Sequence, residues 1–202
     1  MGVGPHPSPW PVGPESDPDR YDPDLLAHGD RRNVLDRYRY WRIESIVADL
    51  DRSRSGLHIA IQNWEHDFNI GSIVRTANAF NVGGVHIIGR RRWNRRGAMV
   101  TDRYLSVHHH ASVAAFADWL HERGITPIGV DNLPGSVPLE TTDLPADCCL
   151  VFGSEGPGLT DDLVAACDRL VAITQYGSTR SINAGAAAAI AMWAWAQQHR
   201  RG

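Results

Sequence analysis

The residues best suited to chemistry fall in three stretches of this 202-residue chain. Glu155 sits inside Gly153-Ser-Glu-Gly-Pro-Gly158, directly after the apolar run Cys148 to Phe152. A strand that ends in such a loop makes a ligand site. The glycines let backbone approach a ligand, Pro157 stiffens the turn, and Glu155 offers an acceptor at the carboxyl end of a strand, where open α/β sheets bind ligands. Ser181, Ile182 and Asn183 precede an alanine-rich run. Ser181 is the expected N-cap of a helix over 182–198, whose first turn carries free amides and a partial positive charge. Asn69 opens a third stretch, a helix expected through Phe80, with Arg75 nearly two turns in.

The elements that must position these groups read as alternating strands and helices. Strands are expected at Leu57–Asn63, Gly84–Gly89, Ile125–Asp131, Cys148–Phe152 and Arg169–Thr174, and helices at 69–80, 112–123 and 182–198. That alternation predicts an α/β fold, a mainly parallel sheet flanked by helices. Residues 1–29 are expected to be a flexible tail, because Pro5, Pro7, Pro9, Pro11, Pro14, Pro18 and Pro23 suit neither helix nor paired strand. Val34, Leu35, Tyr38, Trp41, Ile46, Val47 and Leu50 recur at helical spacing, which predicts an amphipathic helix over 30–51 capped by Asp30. Residues 52–202 form the main domain, with a proline-bearing linker from Asn132 to Asp147.

Charge and composition narrow the partners. The formal net charge is −3, so a nucleic-acid reading rests on local clusters. Arg90, Arg91, Arg92, Trp93, Arg95 and Arg96 form one just past a strand end: the arginines suit RNA phosphates and the indole an unpaired base. Every basic residue other than histidine is arginine, a bias that a GC-rich coding sequence also produces. Cys148, Cys149 and Cys167 form no Cys-x-x-Cys pair and read as small apolar residues in a reducing, cytoplasmic setting. No apolar run approaches bilayer length and no secretory leader is evident. His108, His109 and His110 invite a metal reading, but neighbouring residues on a strand point to opposite faces, so no metal is expected.

Taken together, Asn69-Ile-Gly-Ser-Ile-Val-Arg-Thr-Ala-Asn-Ala-Phe80, Phe152-Gly-Ser-Glu-Gly-Pro-Gly-Leu159 and Ser181-Ile-Asn183 resemble the three motifs of the SPOUT-class, TrmH-like RNA methyltransferases. The resemblance covers roughly residues 57 to 198. It implies a deep C-terminal trefoil knot, S-adenosylmethionine bound there, a homodimer, and methyl transfer to a ribose 2′-hydroxyl of tRNA or rRNA. A knot is nothing that periodicity would suggest. The resemblance also assigns roles: Arg75 lies at the target ribose, Asn69, Ser181 and Asn183 orient it or the RNA, Glu155 shapes the site, and Gly153, Ile173 and Ile182 hold the adenosine.

A guanidinium keeps its proton through the neutral range, so stabilising a developing alkoxide suits Arg75 better than acting as a literal base. The helix start Ala184-Gly185-Ala186 is smaller than is common in the resembled family. Two rivals remain at this level. A nucleotide-dependent oxidoreductase is disfavoured, because the glycine spacing is wrong and the loop follows a late strand. A catalytically inactive knotted RNA-binding protein is the alternative that the motif residues alone do not exclude.

Overall fold

The computed structural model describes residues 2–63, 69–154 and 157–200. The chain divides into two units, residues 1–53 and 54–202.

The first unit departs from its sequence reading. Its proline-rich stretch is not a formless tail: Val3 bridges Asp30, and Tyr21 bridges Trp41. Helix α1, Pro23–His28, is capped by Asp22, which accepts the amide of Asp24 at 2.9 Å. The helix expected over 30–51 is instead a 3-10 turn at Asp36–Tyr38 and helix α2 at Ile43–Asp51, separated by Tyr40 in the left-handed region (φ 64°). Asp30 explains the break. Its fully buried carboxylate caps no helix; it accepts the Tyr40 amide at 3.0 Å and both the amide and guanidinium of Arg32 at 2.7–2.9 Å. Burial raises its pKa, but these donors outweigh burial and hold the carboxyl down at about 2.

The second unit is a three-layer α/β domain. Its elements in order are β1 (Leu57–Asn63), α3 (Asn69–Ala79), β2 (Gly84–Gly89), β3 (Val107–His110), α4 (Val113–His121), β4 (Thr126–Val130), β5 (Val137–Pro138), β6 (Cys148–Phe152), α5 (Asp161–Ala165), β7 (Arg169–Ala172) and α6 (Ala184–His199). The seven strands lie in the order β3-β2-β1-β6-β4-β7-β5, and every registered pair is parallel. Strand β6 is inserted between β1 and β4, both earlier in the chain.

Side-chain alternation on β6 divides the core. Cys148, Leu150 and Phe152 face one side, with Ile70, Ile73, Val74 and Ala77 of α3 and Ala188, Ala191, Met192 and Trp195 of α6. Cys149 and Val151 face the other, with Val113, Phe116 and Leu120 of α4 and Leu163 of α5. The cysteines behave as apolar residues: burial, helped by neighbouring Asp147 and Asp168 respectively, pushes the Cys148 and Cys167 thiols up to about 12. Among the described residues, no helix is long and apolar enough to cross a membrane.

Histidines occupy part of the α4-facing side. His108 and His110 lie on this face, while His109 points away and meets the Gly89 carbonyl at 2.8 Å. His58 Nδ1 lies 3.0 Å from His86 Nε2, and His86 Nδ1 lies 2.9 Å from His110 Nε2, so a chain of imidazoles crosses three strands.

Candidate functional site

A cavity of about 540 Å³ opens at the carboxyl ends of β4, β6 and β7. Val130, the last residue of β4, and Phe152, the last of β6, form its floor, and Ile173 follows directly on β7. The position is the one at which parallel α/β sheets present loops to ligands. Gly153, Ile173 and Ile182, the three residues expected around an adenosine, all line it, together with Ser181 and Asn183.

The loop after β6 is shaped by a close backbone crossing. A Cβ placed on Gly153 would lie 2.0 Å from the Gly158 carbonyl carbon and 2.3 Å from the Leu159 nitrogen, so only glycine fits there. Gly158 itself takes a left-handed conformation (φ 75°) and donates its amide to the Ser154 carbonyl at 3.1 Å. Glu155 lies outside the described residues, as does Gly156.

Helix α6 enters the site differently from its sequence reading. The N-cap is Asn183 and not Ser181, and the helix begins at Ala184. Asn183 Oδ1 accepts the amides of Gly185 at 3.0 Å and Ala186 at 3.2 Å, which an asparagine does as well as a serine. Its Nδ2 donates to Asn69 Oδ1 at 2.8 Å. This bond joins the start of α6 to the start of α3, and brings together two of the three stretches singled out in the sequence. The small Gly185 lets the helices meet: a Cβ there would come within 2.6 Å of Ser72 Oγ.

Arg75 lies on the exposed face of α3, has no side-chain partner among the described residues, and does not line the cavity. Ser181 is exposed at the cavity wall.

The arginine stretch is anchored on the same helix. Arg90, Arg91, Arg92, Arg95 and Arg96 are exposed, while Trp93 is half-buried against the core. Asn63, buried at the end of β1, donates its amide to the carbonyls of Arg90 at 2.6 Å and Arg92 at 3.0 Å. Gly71 of α3 and Gly97 touch backbone to backbone; a Cβ on Gly71 would lie 2.8 Å from Gly97 Cα. Arg95 pairs with Asp102 at 3.4 Å.

Sequence reasoning passed over Asp131 and Asn132, which also line the cavity. The signal that marks them is position, at the carboxyl end of an expected strand.

The comparisons agree with this architecture. A model of the SpoU rRNA Methylase family matches residues 56–193. Over 194 residues the chain is 30% identical to an uncharacterized tRNA/rRNA methyltransferase of Mycobacterium ulcerans; the match takes in 93% of this chain but 61% of that protein, so the chain spans about three-fifths of its relative's length. The TrmH/SpoU tRNA modifying enzyme of A. aeolicus shares the fold at a TM-score of 0.69 and 20% identity, over 79% of this chain and 83% of that one. The SpoU methyltransferase AviRb from Streptomyces viridochromogenes, solved in complex with AdoMet, matches at a TM-score of 0.67 and 25% identity, over 76% and 62% respectively. Since the family model runs from the start of β1 well into α6, across the whole sheet and the cavity at its carboxyl end, the chain belongs to the SpoU rRNA methylase family.

Proposed function

We propose that this chain transfers a methyl group from S-adenosylmethionine to a ribose 2′-hydroxyl of tRNA or rRNA. The observation that carries the reading is the 2.8 Å bond between Asn183 and Asn69, which sets the exposed helix face bearing Arg75 beside the helix start that walls the cavity. The cavity fits the cofactor by size and lining: about 540 Å³ is within the small-molecule range, and glycine and isoleucine positions at strand and helix ends suit an adenine held by backbone. When bound, S-adenosylmethionine supplies an electrophilic methyl group.

The chain's own residues do the rest. Gly153, Ile173 and Ile182 hold the adenosine, and Asn69, Asn183 and Ser181 orient the ribose and Arg75. The Arg75 guanidinium stabilises charge developing on the attacking 2′-hydroxyl oxygen, whose proton leaves to water as the O–CH3 bond forms and the sulfonium S–CH3 bond breaks, and positioning supplies much of the rate. The Arg90–Arg96 stretch, held on the helix that bears Arg75, binds RNA phosphates, with Trp93 against a base. Glu155 shapes the site as the family resemblance implies.

We infer also that the segment after β6 is knotted, consistent with the insertion of β6 between earlier strands and the tight crossing at Gly153. A homodimer is supported by α6, where Ala186, Ile190 and Trp193 form an exposed apolar stripe, Trp193 being 57% exposed.

The test is calorimetric titration with S-adenosylmethionine and with its demethylated product, followed by transfer of labelled methyl to tRNA and rRNA digested to nucleosides. Micromolar binding of both ligands, about −8 kcal/mol, and label in 2′-O-methyl nucleosides is the expected result. Binding of RNA without transfer points to the inactive knotted binder, and label on a base overturns the ribose assignment.

A further inference from the structure

Two polar residues at the end of β4 reach both loops that flank the cavity. Asp131 Oδ2 accepts the Leu159 amide at 2.9 Å, and Oδ1 accepts the Asn132 amide at 2.8 Å. The same carboxylate occupies the space beside Gly158: a Cβ there would lie 2.5 Å from Oδ2. Asn132 Nδ2 donates to the carbonyl of Arg180, in the loop that leads to Ser181 and Asn183. The strand end itself is held, since the Asp131 amide donates to the Val171 carbonyl at 3.0 Å and its own carbonyl accepts Ser136 Oγ at 2.8 Å. Among the described residues lining the cavity, Asp131 is the one charged side chain.

We propose that Asp131 and Asn132 are positioning residues that brace the cofactor cavity from the end of β4, Asp131 setting the Gly158–Leu159 turn and Asn132 the loop before α6. The inference rests on the cofactor reading given above. The physical reason is that, apart from the Ser154–Gly158 backbone bridge, the described residues of the two loops have no regular structure at these points, so side-chain acceptors and donors presented by the neighbouring strand help to fix their shape. A hydrogen bond to a charged acceptor is worth more than a neutral one, and its loss leaves the Leu159 amide without its partner. The brace exists without ligand, so it shapes the pocket before binding and acts alike on methyl donor and demethylated product.

The test compares D131A, D131N and N132A with wild type, by titration of S-adenosylmethionine and of the demethylated product and by amide exchange of the ligand-free proteins. D131A is expected to weaken both ligands by about 10-fold and to speed exchange at Leu159 by a similar factor. D131N keeps one side-chain oxygen and recovers most of both losses. N132A weakens both ligands and leaves Leu159 exchange unchanged. Unchanged Leu159 exchange in D131A, D131N as impaired as D131A, or a loss confined to the charged donor would each overturn the brace; the last two indicate direct electrostatic contact with the ligand. Should D131A not fold, unchanged affinities in N132A overturn the proposal. A wild-type chain that binds neither ligand overturns the cofactor reading, and Leu159 exchange still decides whether the brace is present.

Discussion

Arg75 is the residue on which the proposed chemistry turns, and its surroundings set what it does. It stands exposed on α3, away from the cavity lining. Arg75→Ala is therefore expected to abolish turnover while the dissociation constant for S-adenosylmethionine stays within about 3-fold of wild type, read by single-turnover assay and calorimetry. Loss of cofactor binding in a folded variant would refute the role. Gly153 makes the opposite prediction. Because backbone atoms stand 2.0–2.3 Å from the site of its missing Cβ, Gly153→Ala must displace the Gly158–Leu159 segment. We expect a loss of about 3 kcal/mol in stability, measured by denaturant titration, together with loss of cofactor affinity. The importance of Gly153 was readable as a glycine in a loop after a strand. The reason for it, a chain crossing five residues later, belongs to tertiary structure. The N-cap shows the same limit: Ser181 and Asn183 are both good capping residues, and only the amides of Gly185 and Ala186 pointing at Asn183 decide between them.

At the scale of elements, the buried strands were the most legible. The bounds of β1, β2 and β6 match those read from the sequence, because strands covered on both faces are rich in apolar residues; β6 is apolar throughout, while His58, Gln62 and Asn63 interrupt the pattern in β1 and His86 in β2. Strand β5 was missed: its two residues, Val137 and Pro138, are exposed, and it joins the sheet beside β7 with no hydrophobic pattern to mark it. Helix α5 is five residues long and lacks a readable period. The arginine stretch is the element with the clearest consequence. Its backbone is tied to Asn63 and pressed against Gly71, so the exposed guanidinium groups project from a fixed frame. Replacing Arg91 and Arg92 with alanine is expected to weaken RNA binding across unrelated sequences and to reduce the slope of log affinity against log salt by about one for each phosphate no longer neutralised. Filter binding at several salt concentrations measures both.

At the scale of the molecule, two expectations follow from features that no single element contains. The exposed stripe on α6 is expected to bury itself against a second copy, so Trp193→Asp should convert a dimer to monomer in sedimentation without unfolding, since Trp193 is outside the core while Trp195 is in it. The imidazole chain bears on pH. Burial, then the neighbouring His108, holds His58 down to about 4; burial, then His58, His108 and His110, holds His86 at about 2; His108 and His110 are lowered as well, chiefly by burial, with Arg123 opposing protonation of His58, His86 and His108 and Asp147 favouring it at His58. These folded-state values lie below the ordinary 6.5, so the unfolded chain takes up protons first as pH falls. Their contribution to stability is complete above about pH 6.5 and is lost below it, at about 1.4 kcal/mol per pH unit for each histidine that stays neutral. The melting temperature should drop between pH 7 and 5, and less so in His86→Phe. The sequence by itself determined the α/β alternation, the buried strands, the arginine cluster and the three chemically suited stretches, because each is a local pattern of polarity, charge or backbone freedom. Tertiary structure alone decided that β6 enters between β1 and β4, that Asn69 meets Asn183 across 114 positions, that Asp131 reaches Leu159, and that His58, His86 and His110 line up. Strand order and register bring these residues together, and those depend on long-range pairing that no local pattern encodes.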